Sequence, residues 1–304
     1  PSEDHPGMDN PPVVRMVFNE EIVPESIVPE MIKISHLEDG SSISGRLQHV
    51  SIKGQSVLHF FPESKLEAET VYSTIISSGI EDRHQNRAGK ISFRFRVEEK
   101  DDAEVIVMDD FDQGISEWWK PRQSGSTQGI ESETTFSDHE TDIFWGASEN
   151  QGALKLGYGW NNPEDGYIRL YLPPDASPNQ QTFGTNHVLR IRLLGDGSGN
   201  EFRFVIRDGD GTYEASPWTS VDWKGWSTVT WNLSDDSAYG WINGNGELDG
   251  DQFTLDGLHV RPADGADQTG QWIFDQLHLI KKESSNNIHE LFEERGIRLY
   301  PNPV

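Results

Sequence analysis

Four tryptophans stand in stretches rich in Gly, Asn, Pro and Asp, where an indole ring could bind a sugar. They are Trp145, Trp160, Trp218 and Trp241. An indole or phenol ring pairs an apolar face with a polar edge, so exposed rings can stack on sugar rings. The segment from Tyr158 to Asn162 is the favoured site, because its two aromatic residues adjoin amides that can pair with hydroxyls. The alternative is core packing, which we expect for Trp226, Trp231 and Trp272.

Arginines provide a second set of candidate ligand-binding residues. Successive side chains of a β-strand point to opposite faces, so Arg169 and Tyr171 are expected to share one face of their strand. Arg203 and Arg207 are expected to do the same in theirs. If the strands are neighbours, these side chains form one sheet face, and Arg190–Arg192 would join it. Guanidinium groups bind hydroxyls or carboxylates; the alternative is that they form salt bridges with nearby Asp and Glu.

The sequence contains no recognisable catalytic motif. It has no His-Glu-x-x-His, no Gly-x-Ser-x-Gly and no phosphate-binding loop. Carboxylates are so abundant that any pair of them is weak evidence for glycoside hydrolysis. His187, His259 and His278 stand in no stretch typical of a lyase base. We therefore expect no enzymatic activity in this chain and keep a polysaccharide lyase or hydrolase as the least favoured alternative.

The composition limits the classes of partner. A net charge of -26, from 51 acidic and 25 basic residues, disfavours general attraction to nucleic acid or anionic membranes. The absence of cysteine excludes disulfides, thiolate catalysis and cysteine-bound zinc. No apolar run approaches the ~20 residues of a membrane helix, so no membrane insertion is expected. No signal peptide is visible, residues 1–11 read as a linker, and we expect the chain to be a piece of a longer protein.

Residues 12–98 alternate with the period of short half-buried strands, as Val14, Met16 and Phe18 illustrate. The order of Val-Phe-Asn-Glu-Glu-Ile at 17–22 and Phe-Pro-Glu-Ser-Lys-Leu at 61–66 resembles the bacterial Ig-like domains of surface and S-layer proteins. Gly-Ile-Glu-Asp at 79–82 strengthens the resemblance. It implies an immunoglobulin-like sandwich that acts as a spacer.

Residues 104–282 also read as β-strands, separated by tight Gly and Asp turns. The strings at 190–194, 201–207 and 227–233 resemble carbohydrate-binding modules of the galactose-binding-like jelly-roll type, which accompany glycan-active enzymes. The predicted fold class is therefore all-β: an immunoglobulin-like sandwich followed by a jelly roll. The resemblance also implies a structural Ca2+ between the first and last strands of the domain.

Calcium takes several oxygen ligands, which carboxylates supply well. Asp110 and Asp112 open the second domain and Asp275 lies in its last predicted strand, so these three are the expected metal ligands. Asp208 and Asp210 are the second choice, although turn formation explains them without a metal.

The polar stretch 283–304 is expected to be a linker that ends in Arg-Leu-Tyr-Pro-Asn-Pro-Val. That ending resembles the start of the C-terminal sorting domain recognised by the type IX secretion machinery. The resemblance implies a secreted or outer-surface protein of a Gram-negative, Bacteroidota-like bacterium.

The predicted function is a non-catalytic carbohydrate-binding module with an Ig-like spacer. We expect the module to bind wall or matrix polysaccharide as part of a larger secreted or cell-surface, glycan-active enzyme. The main alternative is a purely structural surface or adhesion module.

Overall fold

A computed structural model describes residues 13–97, 104–148, 151–208 and 211–282. Nearly all regular structure in these residues is β-strand, so the all-β prediction is confirmed. The chain divides into two compact units, with 13–97 in the first and 104–145 and 151–282 in the second. The predicted linkers, the sorting sequence and Asp210 lie outside the described residues. Within the described ranges, no helix is long and apolar enough to cross a membrane.

The first unit is a sandwich of two antiparallel sheets. Its strands are β1 (Val14–Val17), β2 (Ile32–His36), β3 (Ser42–Ile43), β4 (Gly45–Ile52), β5 (Gln55–Pro62), β6 (Val71–Ile76) and β7 (Ile91–Arg96). One sheet has the order β1-β5-β4 and the other β3-β2-β6-β7. Leu58 and Phe60 of the first sheet join Ile34 and Tyr72 of the second in one buried core. Short 3-10 helices at Pro24–Ser26 and Pro29–Met31 begin with proline, whose fixed φ suits a first helical position.

The described residues of the second unit form twelve strands and three 3-10 helices. The strands are β8 (Glu104–Asp109), β9 (Phe136–Glu140), β10 (Ala153–Gly159), β11 (Ile168–Tyr171), β12 (His187–Asp196), β13 (Glu201–Arg207), β14 (Tyr213–Ala215), β15 (Thr219–Ser220), β16 (Lys224–Asn232), β17 (Tyr239–Gly240), β18 (Thr254–Arg261) and β19 (Thr269–Lys281). The helices are Pro121–Gln123, Pro163–Asp165 and Ser177–Gln180.

These strands form two six-stranded sheets. Sheet A has the order β16-β12-β19-β10-β9, with β8 also paired to β19. Sheet B has the order β11-β18-β13-β14-β17, with β15 also paired to β13. All of the pairings are antiparallel.

The core of the second unit lies between the inner faces of the two sheets. Leu189, Ile191 and Leu193 of β12 are fully buried there. The ring of Phe202 in sheet B lies 5.6 Å from that of Phe274 in sheet A. Because every second residue of β12 and β13 is committed to this core, the residues between them must lie on the outward faces.

Candidate functional site

The outward face of sheet B gathers most of the predicted arginine site. The central strand β18 pairs with β11 on one side and β13 on the other. This pairing places Arg169 opposite His259 and Arg203 opposite the same His259. Tyr171 and Arg207 follow two and four residues further along their strands, on the same side of the sheet. The expected sharing of one face by Arg169, Tyr171, Arg203 and Arg207 is therefore observed.

Arg190 and Arg192 do not belong to this face, so that part of the expectation is wrong. Both lie on β12, which pairs with β16 and β19 in sheet A. The alternation of β12 was read correctly, but the sheet to which a strand belongs depends on its pairing partners. Arg192 stacks on Trp145, with its guanidinium carbon 4.2 Å from the ring centroid.

A β-bulge places a buried carboxylate beneath the arginines of sheet B. The register between β13 and β18 shifts at Val205 and Ile206, which leaves Asp256 without an opposite residue. A bulge re-aims the side chain of its extra residue. Here Asp256, which is fully buried, accepts hydrogen bonds from Nε and Nη2 of Arg169 at 2.9 and 2.5 Å. An Nη2 atom of Arg207 lies 3.1 Å from the same carboxylate.

The ionisation of Asp256 is set by these contacts. Burial by itself would raise the pKa of this carboxyl group, because it penalises the charged form. His259, whose Nε2 lies 3.7 Å from the carboxylate, and the hydrogen bonds and charges of Arg169 and Arg207 outweigh burial and lower the pKa below its ordinary value. Asp256 is therefore an anion at neutral pH and holds two guanidinium groups in fixed positions.

Arg207 is anchored further by backbone acceptors. It donates hydrogen bonds to the carbonyl oxygens of Leu255, at 2.6 Å, and of Leu172. Its guanidinium carbon lies 5.2 Å from the ring centroid of Tyr171. These contacts make Arg207 mainly a support for the face.

Aromatic rings cover the arginines on the same side of sheet B. The guanidinium carbon of Arg169 lies 4.3 Å from the Tyr171 ring centroid and 4.8 Å from that of Trp241. The guanidinium carbon of Arg203 lies 4.3 Å from the centroid of Trp218. Such cation–π contacts fix both partners in position. We call the outward side of sheet B formed by Arg169, Tyr171, Arg203, Arg207, Trp218 and Trp241 the arginine–aromatic face.

Tyr167 and His259 form a chain of contacts that begins at Arg203. Arg203 donates a hydrogen bond of 3.0 Å to the Tyr167 hydroxyl, which in turn contacts Nδ1 of His259. Burial lowers the pKa of His259 to about 4 and raises the pKa of Tyr167. At neutral pH, a neutral imidazole therefore accepts the proton of a neutral phenol.

Parts of the arginine–aromatic face are open to solvent. Tyr171, Trp218 and Trp241 are half-buried, and Trp119 is 42% exposed beside Tyr171, with ring centroids 4.8 Å apart. The preceding residue, Trp118, is buried. The face thus offers rings with free surface above fixed hydrogen-bond donors.

Sequence reasoning missed several residues of this site. Tyr167 could have been found, because it continues the alternation of Arg169 and Tyr171. His259 could have been found in the same way from β18. Asp256 could not, because the bulge that re-aims it breaks the alternation. Trp119 approaches Tyr171 through a hydrogen bond from its backbone N–H to the Tyr171 carbonyl, which no local pattern reveals.

The favoured segment from Tyr158 to Asn162 does not form a sugar-stacking surface, so this prediction is wrong for its two aromatic residues. Tyr158 is fully buried and donates a hydrogen bond of 2.7 Å to Asp196. Trp160 is 5% exposed, and its Nε1 donates to Asn200 at 3.1 Å. Their rings belong to the core between the sheets, because β10 extends further than the Gly-rich sequence suggested.

The remaining tryptophan predictions divide in the same way. Trp145 is 9% exposed and packs against Trp226 and Arg192 on sheet A, so it is not an open stacking ring. Trp226, Trp231 and Trp272 are buried, and their predicted core role is confirmed. Trp218 and Trp241 remain available as candidates.

The predicted calcium ligands Asp110, Asp112 and Asp275 interact electrostatically, but they do not form a group whose ligand atoms all lie within 4.8 Å of one another in the described residues. Asp275 is buried, and its carboxylate accepts a 2.6 Å hydrogen bond from the Trp145 N–H. Asp112 accepts one of 2.8 Å from the Gly152 N–H. Burial, together with the negative charges of Asp112 and Asp110, raises the pKa of Asp275 well above its ordinary value. The donor chemistry suits a cation, and the calcium site stays a prediction.

The tightest acidic cluster in the described residues lies in the first unit. Ligand atoms of Glu20, Asp82 and His84 all lie within 4.8 Å of one another. The carboxylate of Asp82 is already used in a turn, where it accepts hydrogen bonds from the N–H groups of His84 and Asn86. Turn formation accounts for this cluster. Asp208, the second choice for a metal, accepts a hydrogen bond from the Gly250 N–H.

Comparison with known proteins bears on each unit separately. Residues 1–97 match the family model of the bacterial Ig-like domain. The Family 11 carbohydrate-binding module of cellulosomal cellulase Lic26A-Cel5E of Clostridium thermocellum is 16% identical, with a TM-score of 0.37. It covers 59% of this chain and 95% of its own.

A solved structure from a study of carbohydrate-binding modules of the β-sandwich superfamily is 12% identical, with a TM-score of 0.36. That comparison covers 91% of this chain and 100% of the other. The N-terminal part of the bacterial S-layer protein SbsC is 10% identical, with a TM-score of 0.26, over 49% of this chain and 37% of that one. No curated protein matches the chain.

Proposed function

We propose that the second unit is a non-catalytic carbohydrate-binding module that holds a polysaccharide against the arginine–aromatic face. The first unit would act as its spacer. A secreted or cell-surface, glycan-active enzyme is the proposed context, and wall or matrix polysaccharide the proposed ligand.

The observation that carries the proposal is the joint placement of open rings and fixed donors on one face. Sugar rings offer C–H surfaces that pack on aromatic rings, and hydroxyls that accept hydrogen bonds from polar groups. Trp119, Tyr171 and Trp241 supply partly exposed rings, and Arg169 lies between two of them. Because the ion pair with Asp256 fixes Arg169, little side-chain freedom would be lost on binding.

The strands of sheet B give no support to glycoside hydrolysis on this face. Such hydrolysis uses two carboxyl groups that flank the scissile bond. The two carboxylates that the strands direct to this side are Asp256, bound by Arg169 and Arg207, and Glu201, bound by Arg261 at 2.5 Å. Both serve as partners of arginines, which is consistent with binding without catalysis.

A purely structural module is the second candidate. It is favoured by the observation that Arg169 and Arg207 already have internal partners in Asp256 and in backbone carbonyls. In that case the rings above them would only complete the packing of sheet B.

The test measures the binding of a broad panel of soluble polysaccharides, with tryptophan fluorescence and calorimetry as the two methods of detection. All ten tryptophans lie after residue 117, so the signal comes from the second unit alone. A ligand is expected for wild type, and Tyr171→Ala should weaken it at least tenfold, because truncation of a central ring at an interface costs about 2 kcal/mol.

The matched control is Trp145→Ala, which removes a ring stacked on an arginine of sheet A and should leave the affinity within twofold of wild type. If the whole panel causes neither a fluorescence change nor heat, the structural candidate is preferred. Equal weakening by both variants would place the ligand elsewhere.

We further propose, from the sequence resemblances, a structural Ca2+ held by Asp110, Asp112 and Asp275, and export through the type IX machinery. The first is supported by the buried carboxyl group of Asp275, whose pKa is raised by burial and by the negative charges of the less buried Asp112 and Asp110. The second rests on the sequence at 298–304. Fractionation of cells that express the native gene would test the location: intracellular protein would contradict export.

A further inference from the structure

The strands of sheet B direct more positive than negative side chains to the arginine–aromatic face, in a protein whose net charge is -26. The strands of sheet B place Arg169, Arg203, Arg207 and Arg261 there. Asp256 is shared by Arg169 and Arg207, and Glu201 pairs with Arg261. Arg203 forms no ion pair with any described residue. The strands thus carry an excess of positive charge on this face, although the protein as a whole is strongly acidic.

The contacts of Arg203 leave its charge without a counter-ion. The residue is 8% exposed, stacks on Trp218 and donates one hydrogen bond to the Tyr167 hydroxyl. Burial raises the pKa of Tyr167, so this acceptor is a neutral phenol. The Nε atom of Arg203 is buried and has no partner.

A buried cation without an opposite charge is costly, because its loss of hydration is not offset by an ion pair. Trp218 also holds Arg261 on its ring at 4.3 Å, so the same ring fixes two guanidinium groups beside the open part of the face. Such a fixed, undercompensated cation is suited to bind an anionic group of a ligand, in a geometry that a planar guanidinium favours.

We propose that the polysaccharide bound by this face is acidic and that Arg203 binds its carboxylate or sulfate group. This inference rests on the proposed function, because it specifies the ligand class of the same face. The neutral rings of the sugar chain would pack on Tyr171 and Trp241, and the anionic substituent would select the chain.

The experiment compares matched polysaccharides that differ only in charge, with calorimetry and tryptophan fluorescence at 0.15 M NaCl. Suitable pairs are β-1,4-linked mannose and mannuronic acid oligomers, xylan with and without glucuronic acid substituents, and sulfated and desulfated galactan. At this ionic strength the Debye length is about 8 Å, so the remote acidic surface contributes little. Each ligand is measured with the wild type, Arg203→Gln, Arg203→Lys and Arg192→Gln.

The acidic member of at least one pair should bind ten times or more tightly than its neutral partner, as expected for one charged hydrogen-bonded contact. Arg203→Gln should bring the two within about twofold, and Arg203→Lys should keep part of the preference. Arg192→Gln, the matched arginine over a tryptophan on sheet A, should leave the preference unchanged. If the uronic acid pairs show the preference for the acidic member, the anionic group bound by Arg203 is a carboxylate. If only the galactan pair shows this preference, the group is a sulfate.

Two other outcomes have different meanings. Neutral and acidic partners that bind equally, or a preference that survives in Arg203→Gln, would overturn the acidic ligand and leave the proposed function in place. No binding of any member of the panel would remove the proposed function itself. Circular dichroism of each variant verifies folding, and the Arg203→Lys measurement decides the question if Arg203→Gln unfolds.

Discussion

Two buried aspartates, one in each sheet of the second unit, have opposite electrostatic surroundings. Asp256 of sheet B and Asp275 of sheet A both lie at or beside a β-bulge and are almost completely inaccessible to solvent. Arg169, Arg207 and His259 lower the pKa of Asp256, whereas burial and the charges of Asp112 and Asp110 raise that of Asp275.

The comparison shows that burial disfavours the ionised form of both carboxyl groups, while the neighbouring charges and hydrogen bonds decide whether the pKa rises or falls. In sheet B the ionised Asp256 holds arginines in position on the outward face. In sheet A the same residue type lies among other acids, where a proton or a cation would be favoured. The proposed roles differ accordingly: Asp256 supports the proposed ligand-binding face, and Asp275 belongs to the proposed calcium site.

The largest effect is expected when the anion of sheet B is removed. Asp256→Asn should lower the free energy of unfolding of the second unit by about 3–5 kcal/mol, because two buried guanidinium groups lose their counter-ion. Urea unfolding monitored by tryptophan fluorescence measures this free energy. The signal reports the second unit alone, because the first unit has no tryptophan. A loss below about 1 kcal/mol would show that the ion pairs of Asp256 do not support the face.

The next effect is a pH dependence that comes from His259. Its folded pKa of about 4 lies below the ordinary 6.5, so the unfolded chain binds the extra proton between these values. Stability should therefore fall by about 3 kcal/mol as the pH drops from 7 to 4, at 1.36 kcal/mol per pKa unit. The contribution is fully present above pH 6.5.

His259→Gln should remove this part of the slope. The His59 ring of the first unit, whose pKa burial lowers to about 3, provides an internal reference. Protonation of His59 destabilises the first unit, which has no tryptophan. Circular dichroism detects the unfolding of both units, whereas tryptophan fluorescence detects only that of the second. An unchanged slope in tryptophan fluorescence for His259→Gln would exclude His259 as its source.

A smaller effect distinguishes the outward rings of the two sheets. Trp119→Ala should change stability by less than about 1 kcal/mol, because the ring is 42% exposed, but should weaken glycan binding several-fold. Trp145→Ala should do the reverse, with a stability loss of about 2–4 kcal/mol and unchanged affinity, because that ring is buried. Thermal unfolding and calorimetry on both variants test the pattern, and the same pattern in both would contradict it.

The smallest effect concerns Asp275. Asp275→Asn should change stability in EDTA by no more than about 1 kcal/mol, because the raised pKa already favours a neutral group. If calcium binds there, millimolar CaCl2 should raise the melting temperature of wild type by a few degrees and leave Asp275→Asn unchanged. Identical melting curves in CaCl2, MgCl2 and EDTA would reject the site.

The fold and part of the site were accessible from the sequence. The alternation in β11 and β13 correctly placed Arg169 with Tyr171 and Arg203 with Arg207, because a period of two is a local property of a strand. The all-β class followed from the same periodicity. The burial of Trp231 and Trp272 followed from their position within strands.

The aromatic residues in Gly- and Asn-rich stretches show where the prediction failed. Tyr158 and Trp160 resemble Trp218 and Trp241 in their sequence surroundings, yet the first two rings are buried and the last two are half-exposed. Asp196 and Asn200, about 40 residues away, receive the polar atoms of Tyr158 and Trp160 and make that burial possible. No local pattern contains such a partner.

The sequence by itself determined that the chain forms β-strands, which side chains share a strand face, and that tryptophan is confined to residues 118–272. Only the tertiary structure decided which of these faces turn outward and which strands are neighbours. It separated Arg192 from Arg203, and it used a bulge to place Asp256 beneath two arginines. The physical reason is that periodicity is fixed by the backbone, whereas burial and charge compensation depend on residues that meet only when the sheets have formed.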